Sequence, residues 1–186
     1  MIRTERLLLR AWDKDDVDPF AKMNADSRVM EFFPACLSYE ESAALVDRIE
    51  KSFREHGIGL FAAELASEQQ FIGYIGLSVP NFKAHFTPCV EIGWRLSADY
   101  WGRGLATEGA RAVVRHAFGT LRLDALVSFT VPANVRSTRV MEKLGMTRDP
   151  ADDFDHPNLP DGHPLRRHVL YRLKRTDWLF AAGKKE

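Results

Sequence analysis

One glutamate and a glycine-punctuated turn carry the chemistry that this sequence suggests. From Val90 to Thr107 it reads VEIGWRLSADYWGRGLAT. An apolar strand ends near Leu96, a short polar loop follows, and Gly102-Arg103-Gly104 leads straight into an amphipathic helix. The start of a helix offers free backbone N–H groups and the positive end of the helix dipole. Glycines let that backbone approach an anion without side chains in the way, so the turn is suited to cradling a phosphate. Arg103 adds a cation that either meets the phosphate or lies in solvent. Gly-x-Gly ahead of a helix is equally what a tight turn with unusual dihedrals requires. Along the strand, Glu91, Gly93 and Arg95 share one side, and Val90, Ile92, Trp94 and Leu96 the other. A glutamate in an apolar strand is costly unless it is paired or put to use.

The elements that must position these groups follow from pattern. RLLLRAW (6–12) reads as a first strand, and Asp13 with Asp16 opens a helix carrying Val17, Phe20, Ala21 and Met23. Ser38-Tyr39-Glu40-Glu41 is a capping box for a second helix, with Leu45, Ile49 and Phe53 at helical spacing and Gly57 as its stop. Residues 58–66 and 70–79 form a hairpin, and 89–96 is a further strand. In the helix at about 104–120, Ala106, Ala110, Val113, Val114, Ala117, Phe118 and Leu121 make one stripe. The unbroken apolar run 124–131 is a central strand that Pro132 ends. A shorter helix, 134–144, stops at Gly145, a Pro/Asp/His-rich loop spans 149–164, and a last strand covers about 166–173. Hairpins followed by helix–strand alternation predict a mixed α/β sheet with helices on both faces. The expectation is one domain over 1–186.

Trp101-Gly102-Arg103-Gly104-Leu105-Ala106 resembles the pyrophosphate-binding signature of the GNAT N-acetyltransferase superfamily, Gln/Arg-x-x-Gly-x-Gly/Ala. The longer YWGRGLATEGA is similar to the branch containing the ribosomal-protein N-terminal acetylases. Downstream, Asn134-x-x-Ser137-x-Arg139-Val140-Met141-Glu142-Lys143-Leu144-Gly145-Met146 resembles that branch's second motif, and TERLLLR its usual first strand, so the resemblance runs over residues 4–147. Trp101 departs from the general Gln or Arg. A Rossmann fingerprint is excluded, because Gly104 is followed by Thr107 where a third glycine is required, and Asp124 begins its strand rather than ending one.

The resemblance implies a GNAT-like sheet of about six to seven strands, mostly antiparallel, with the strand at 90–96 splayed from a parallel partner at 124–131. It implies acetyl-CoA as co-substrate, with its diphosphate on Gly102, Arg103, Gly104, Leu105, Ala106 and Thr107. The pantetheine arm would run along the backbone of Trp94, Arg95 and Leu96. From Glu91 to Leu96 is about 16 Å of strand, of the order of that arm's length. Glu91 is then the candidate base for the amine, or else a buried partner of Arg95 or Arg139. Many family members use a tyrosine seven residues after the asparagine to protonate the leaving thiolate; that position here is Met141. Ser137 is the substitute, or a local capping hydroxyl. Asn134 is a pantetheine contact by resemblance, or only an N-cap. An acyl-CoA-binding module that keeps the cradle without turnover is the alternative reading.

Phe32 and Phe33, between the first two helices, and Tyr74 are candidates for the acceptor wall or for the core. His168 is a candidate acceptor-side residue and second base, or a hydrogen-bonded structural histidine. The acidic loop before it would attract a cationic amine. Its histidines lack the spacing of a zinc site, so no metal is expected. Lys+Arg (26) balance Asp+Glu (26), which argues against nucleic acid or an anionic membrane as partner. No apolar run approaches the roughly 20 residues of a membrane span, and the first residues do not read as a signal peptide. Cys36 and Cys89 match no redox or metal spacing and read as free thiols in a cytoplasmic protein. The acceptor is a peptide or small-molecule amine, and the protein a monomer or homodimer.

Overall fold

Helix ends follow the capping signals of the sequence. The computed structural model describes residues 1–182. Asp13 and Asp16 form a capping box over a 3-10 turn, Lys14–Asp16, that runs into helix α1, Val17–Ala25. Ser38 and Glu41 form a second box at helix α2, Tyr39–His56, which Gly57 ends at φ 69°. Among the described residues no helix is long and apolar enough to cross a membrane.

The described residues form two compact units, Met1–Ser78 with Gly93–Val113, and Val79–Ile92 with residues 114–182. In the first, strands run in the order β1 (Ile2–Arg3), β2 (Leu7–Arg10), β3 (Leu60–Leu65), β4 (Gln70–Ser78) and β5 (Glu91–Leu96, from Gly93 on). β1, β2, β3 and β4 pair antiparallel, with a register shift at Ala63/Glu64. Gly73, at φ 140°, lets β5 come close, since a Cβ there would stand 2.1 Å from the Arg95 carbonyl oxygen. Trp12, Phe20, Met23, Val46, Ile49, Phe71 and Tyr74 build the core under α1 and α2. Fully burying an aromatic such as Phe20 contributes about 1.5–3 kcal/mol. Helix α3, Leu105–Arg115, lies close against the same strands: a Cβ on Gly109 would meet Ile75 Cδ1 at 2.4 Å and Leu7 Cδ1 at 3.2 Å.

In the second unit, Glu91 of β5 pairs parallel with Val127 of β6, Ala125–Thr130, and the Val127 N–H donates to the Val90 carbonyl over 3.0 Å. β6 pairs antiparallel with β9, Arg167–Lys174, and β9 also carries β7, Thr147–Arg148, and β8, Phe154–Asp155. Helix α4, Val135–Lys143, follows β6, and α5, Arg175–Ala182, follows β9.

The architecture is the expected mixed α/β one, mostly antiparallel with one parallel pair. It has nine strands among the described residues rather than six or seven. The additional ones, β1, β7 and β8, are two residues long, too short to show period-2 alternation. The long helix also differs from expectation: after Arg115 it widens into a π-helical turn, His116–Thr120, closed by the Leu121 N–H on the His116 carbonyl, with Ala117 and Phe118 still buried.

Candidate functional site

The glycine turn has the conformation that its residues allow and few others would. Gly102 and Gly104 stand at φ 72° and 77°, in the left-handed region that costs other residues about 1–2 kcal/mol. A Cβ on Gly102 would meet nothing within 4 Å. The first intrahelical bond of α3 runs from the Glu108 N–H to the Gly104 carbonyl. Ahead of it, the N–H groups of Leu105, Ala106 and Thr107 find no acceptor among the described residues. Gly102, Arg103 and Gly104 are exposed, Ala106 is half-buried, and Leu105 and Thr107 are buried as the turn's footing. The Arg103 guanidinium lies 5.4 Å from the Tyr100 ring centroid. The arrangement fits a diphosphate: bare amides, a helix N-terminus and a cation.

A residue that pattern reasoning missed braces this turn. Arg6 donates from Nη1 to the Arg103 carbonyl over 3.0 Å and grips the Glu108 carboxylate through Nε and Nη2, both at 2.7 Å. Glu108 also accepts from the Arg6 N–H and the Thr4 hydroxyl. Burial pushes its carboxyl upward, but these hydrogen bonds outweigh that and hold it below the ordinary value.

On β5, Trp94 is half-buried and Leu96 buried, with the Leu96 carbonyl taking the Trp101 indole N–H over 2.9 Å. Arg95 is buried. Its Nη1 donates to Asn24 Oδ1 over 2.8 Å, and its guanidinium lies 4.0 Å from the Phe33 ring centroid and 5.3 Å from that of Tyr74. Two of the expected acceptor-wall residues, Phe33 and Tyr74, therefore meet at Arg95. Phe32 is half-buried and Phe33 exposed on the loop between α1 and α2. The signal for Asn24 and Ser42 was present but small: each is a polar residue on an otherwise apolar helical stripe.

In the second unit, cross-strand register sets Glu91, Val127 and Arg172 in one row on one sheet face. Phe129, Leu170 and His168 continue that face by alternation. It carries a cluster of rings, with His168 at 6.0 Å from Phe129, 5.5 Å from Phe154 and 5.2 Å from His156. Glu91 and His168 thus share a face. The opposite face meets α4, where the Tyr171 hydroxyl donates to Glu142 Oε1 over 3.3 Å. Beside Glu91, burial pushes the Cys89 thiol up to about 11, and the Glu91 charge adds to it while Arg172 opposes it. Arg172 donates to Asp152, which also pairs with His85. Burial lowers the pKa of both His156 and His168. His168 Nδ1 lies 3.1 Å from the Arg166 carbonyl, so in the neutral ring that nitrogen carries the proton and Nε2 the lone pair.

Asn134 caps α4, accepting the Ser137 N–H over 3.2 Å and donating to Thr130 Oγ1 over 3.1 Å. Ser137 is half-buried one turn in, and Met141 is fully buried.

The acetyltransferase (GNAT) domain model matches residues 6–147. The chain is 30% identical over 178 residues to YnaD, an uncharacterized N-acetyltransferase of Bacillus subtilis, covering 95% of this chain and 98% of that one. It is 35% identical over 121 residues to the FsC-acetyl coenzyme A-N(2)-transacetylase of Aspergillus fumigatus, covering 61% of this chain and 49% of that one. The crystal structure of a GNAT-family acetyltransferase from Bacillus anthracis superposes with a TM-score of 0.77 at 27% identity, covering 94% and 98% of the two chains.

Proposed function

The chain belongs to the GNAT acetyltransferase family and is an acetyl-CoA-dependent N-acetyltransferase, and we propose that, as one domain over 1–186, it acetylates a primary amine by direct attack within a ternary complex. The observation that carries this is the turn at Gly102–Thr107, whose two left-handed glycines present unpaired amides at the head of α3.

In this reading acetyl-CoA supplies the activated acetyl group. The amides of 102–107, with Arg103, hold its diphosphate. The backbone of Trp94, Arg95 and Leu96 holds the pantetheine arm, and Asn134 and Ser137 add contacts to it. Glu91 takes a proton from the incoming ammonium, directly or through water, because only the neutral amine attacks a thioester. The C–N bond forms first, putting the carbonyl's charge on an oxyanion that faces N–H groups of β5, and the C–S bond breaks as this tetrahedral intermediate collapses. Ser137 hands its proton to the leaving thiolate and regains one, through water, from the nitrogen, which sheds its second proton as the amide forms. Glu91 releases the first proton to solvent. A thiolate with an ordinary pKa near 8.5 needs little such help. Phe32, Phe33, Tyr74 and His168 face the acceptor, which is a protein α-amine or a small-molecule amine. Direct attack rather than an acetyl-cysteine route is supported by Cys89, whose raised pKa keeps it a thiol.

The test is incubation with acetyl-CoA and a panel of primary amines, following loss of thioester absorbance. Amine-dependent thioester loss is the expected result. Thermal stabilisation by CoA with no loss for any amine would instead identify a binding module.

A further inference from the structure

Asn24, Ser42 and Arg95 form one buried polar chain within the first unit. Asn24 and Ser42 are 0% exposed and Arg95 9%. Asn24 Nδ2 donates to Ser42 Oγ over 3.0 Å, which leaves Asn24 Oδ1 turned to Arg95 Nη1 at 2.8 Å. Phe33 and Tyr74 lend ring faces. Nothing supplies the countercharge: no carboxylate among the described residues forms an ion pair with Arg95, and its buried Nε has no acceptor. Nη2 likewise makes no hydrogen bond to a described residue. A guanidinium withdrawn from water with one neutral hydrogen bond is under-compensated. Its unmatched edge, Nε with Nη2, is the fork with which Arg6 grips Glu108, and it fits a carboxylate in bidentate fashion.

We infer that Arg95 recognises a carboxylate on the acceptor, so that the substrates are amines that also carry an anionic group. This rests on the proposed acetyl transfer and on Phe33 and Tyr74 lining the acceptor side. The Ser42–Asn24 relay holds the guanidinium in place before the substrate arrives. Phosphate recognition belongs to the glycine turn, which Arg6 braces, whereas Arg95 points among α1 and the loop after it. A polyamine, cationic at both ends, would meet an unscreened positive charge.

The experiment compares matched acceptors on the wild-type protein: 4-aminobutyrate, 5-aminopentanoate, 6-aminohexanoate and alanylalanine against their amides, with spermidine alongside. Each pair keeps its amine and differs in its anion. For at least one pair kcat/KM should favour the acid by about tenfold to a hundredfold, the range of a charged hydrogen-bond pair, and spermidine should be poor. In Arg95→Gln that ratio should collapse toward one through KM, with Arg95→Lys intermediate. Equal use of acid and amide in every pair, or spermidine used as well as the best acid, overturns the assignment without any variant. So does an Arg95→Gln protein that loses CoA affinity while handling acid and amide as the wild type does. Failure of turnover with every amine would count against acetyl transfer instead. Calorimetric titration of the same acids and amides in the presence of CoA then decides: tighter binding of the acids supports the role of Arg95, and equal binding overturns it.

Discussion

Arg6 and Glu108 are 102 positions apart in the chain, yet their guanidinium and carboxylate meet at 2.7 Å beside the glycine turn. The pair ties the residue that leads into β2 to the first turn of α3, and Arg6 reaches on to the Arg103 carbonyl. Glu108→Gln should lower the melting temperature by about 2–6 °C at neutral pH, from the loss of charged hydrogen bonds. Because the folded carboxyl titrates below its ordinary 4.5, this stability is fully present above that value and is lost as the pH falls through the folded value. Melting curves of both proteins should therefore converge at acid pH. A gap of constant size from pH 7 to pH 3 would contradict the assignment.

At the turn itself, Gly104→Glu adds a carboxylate where the diphosphate is proposed to sit and forces a side chain to φ 77°. CoA affinity by calorimetry should fall by at least about tenfold. Gly102→Ala meets no atom within 4 Å, so its effect should come from backbone strain alone and be smaller.

Glu91→Gln keeps shape and removes the proposed base. The expected loss is about 10²–10⁴-fold in kcat with CoA affinity retained. Full activity in this variant would remove Glu91 from the reaction and leave His168 as the base to test.

His156 and His168 are held neutral by burial below their ordinary pKa. The unfolded chain binds protons at those positions first as pH falls. Stability should decline on acidification from about pH 6.5 down to the lowered folded values. Thermal melts at pH 7.5 and 5.5 should show the difference, and His168→Gln should reduce it.

Cys36 is exposed, whereas the Cys89 thiol is pushed up to about 11. Iodoacetamide at pH 8 should label Cys36 well before Cys89 by mass spectrometry. Cys89→Ser should keep kcat within about twofold, since a thiol so protonated is a poor nucleophile. Loss of turnover in that variant, with CoA still bound, would point to an acetyl-cysteine route instead.

What could be read from the sequence depended on residues close together in it. The Ser38–Glu41 box, the stop at Gly57 and the stripe of α3 are set by neighbours within a turn or two, and so they were legible. The left-handed glycines at 102 and 104 belong to the same class, and the family motifs lie on them. Tertiary structure alone decided the rest. Two-residue strands such as Thr147–Arg148 exist because β9 offers a ladder, not through any propensity of their own. Arg95, weighed from the strand pattern as a partner of Glu91, turns instead to Asn24, 71 residues away. Helix caps and periodicity are settled by local hydrogen bonds and side-chain spacing. A buried polar relay or an ion pair such as Arg6–Glu108 is settled by which distant surfaces pack together, and no local pattern encodes that.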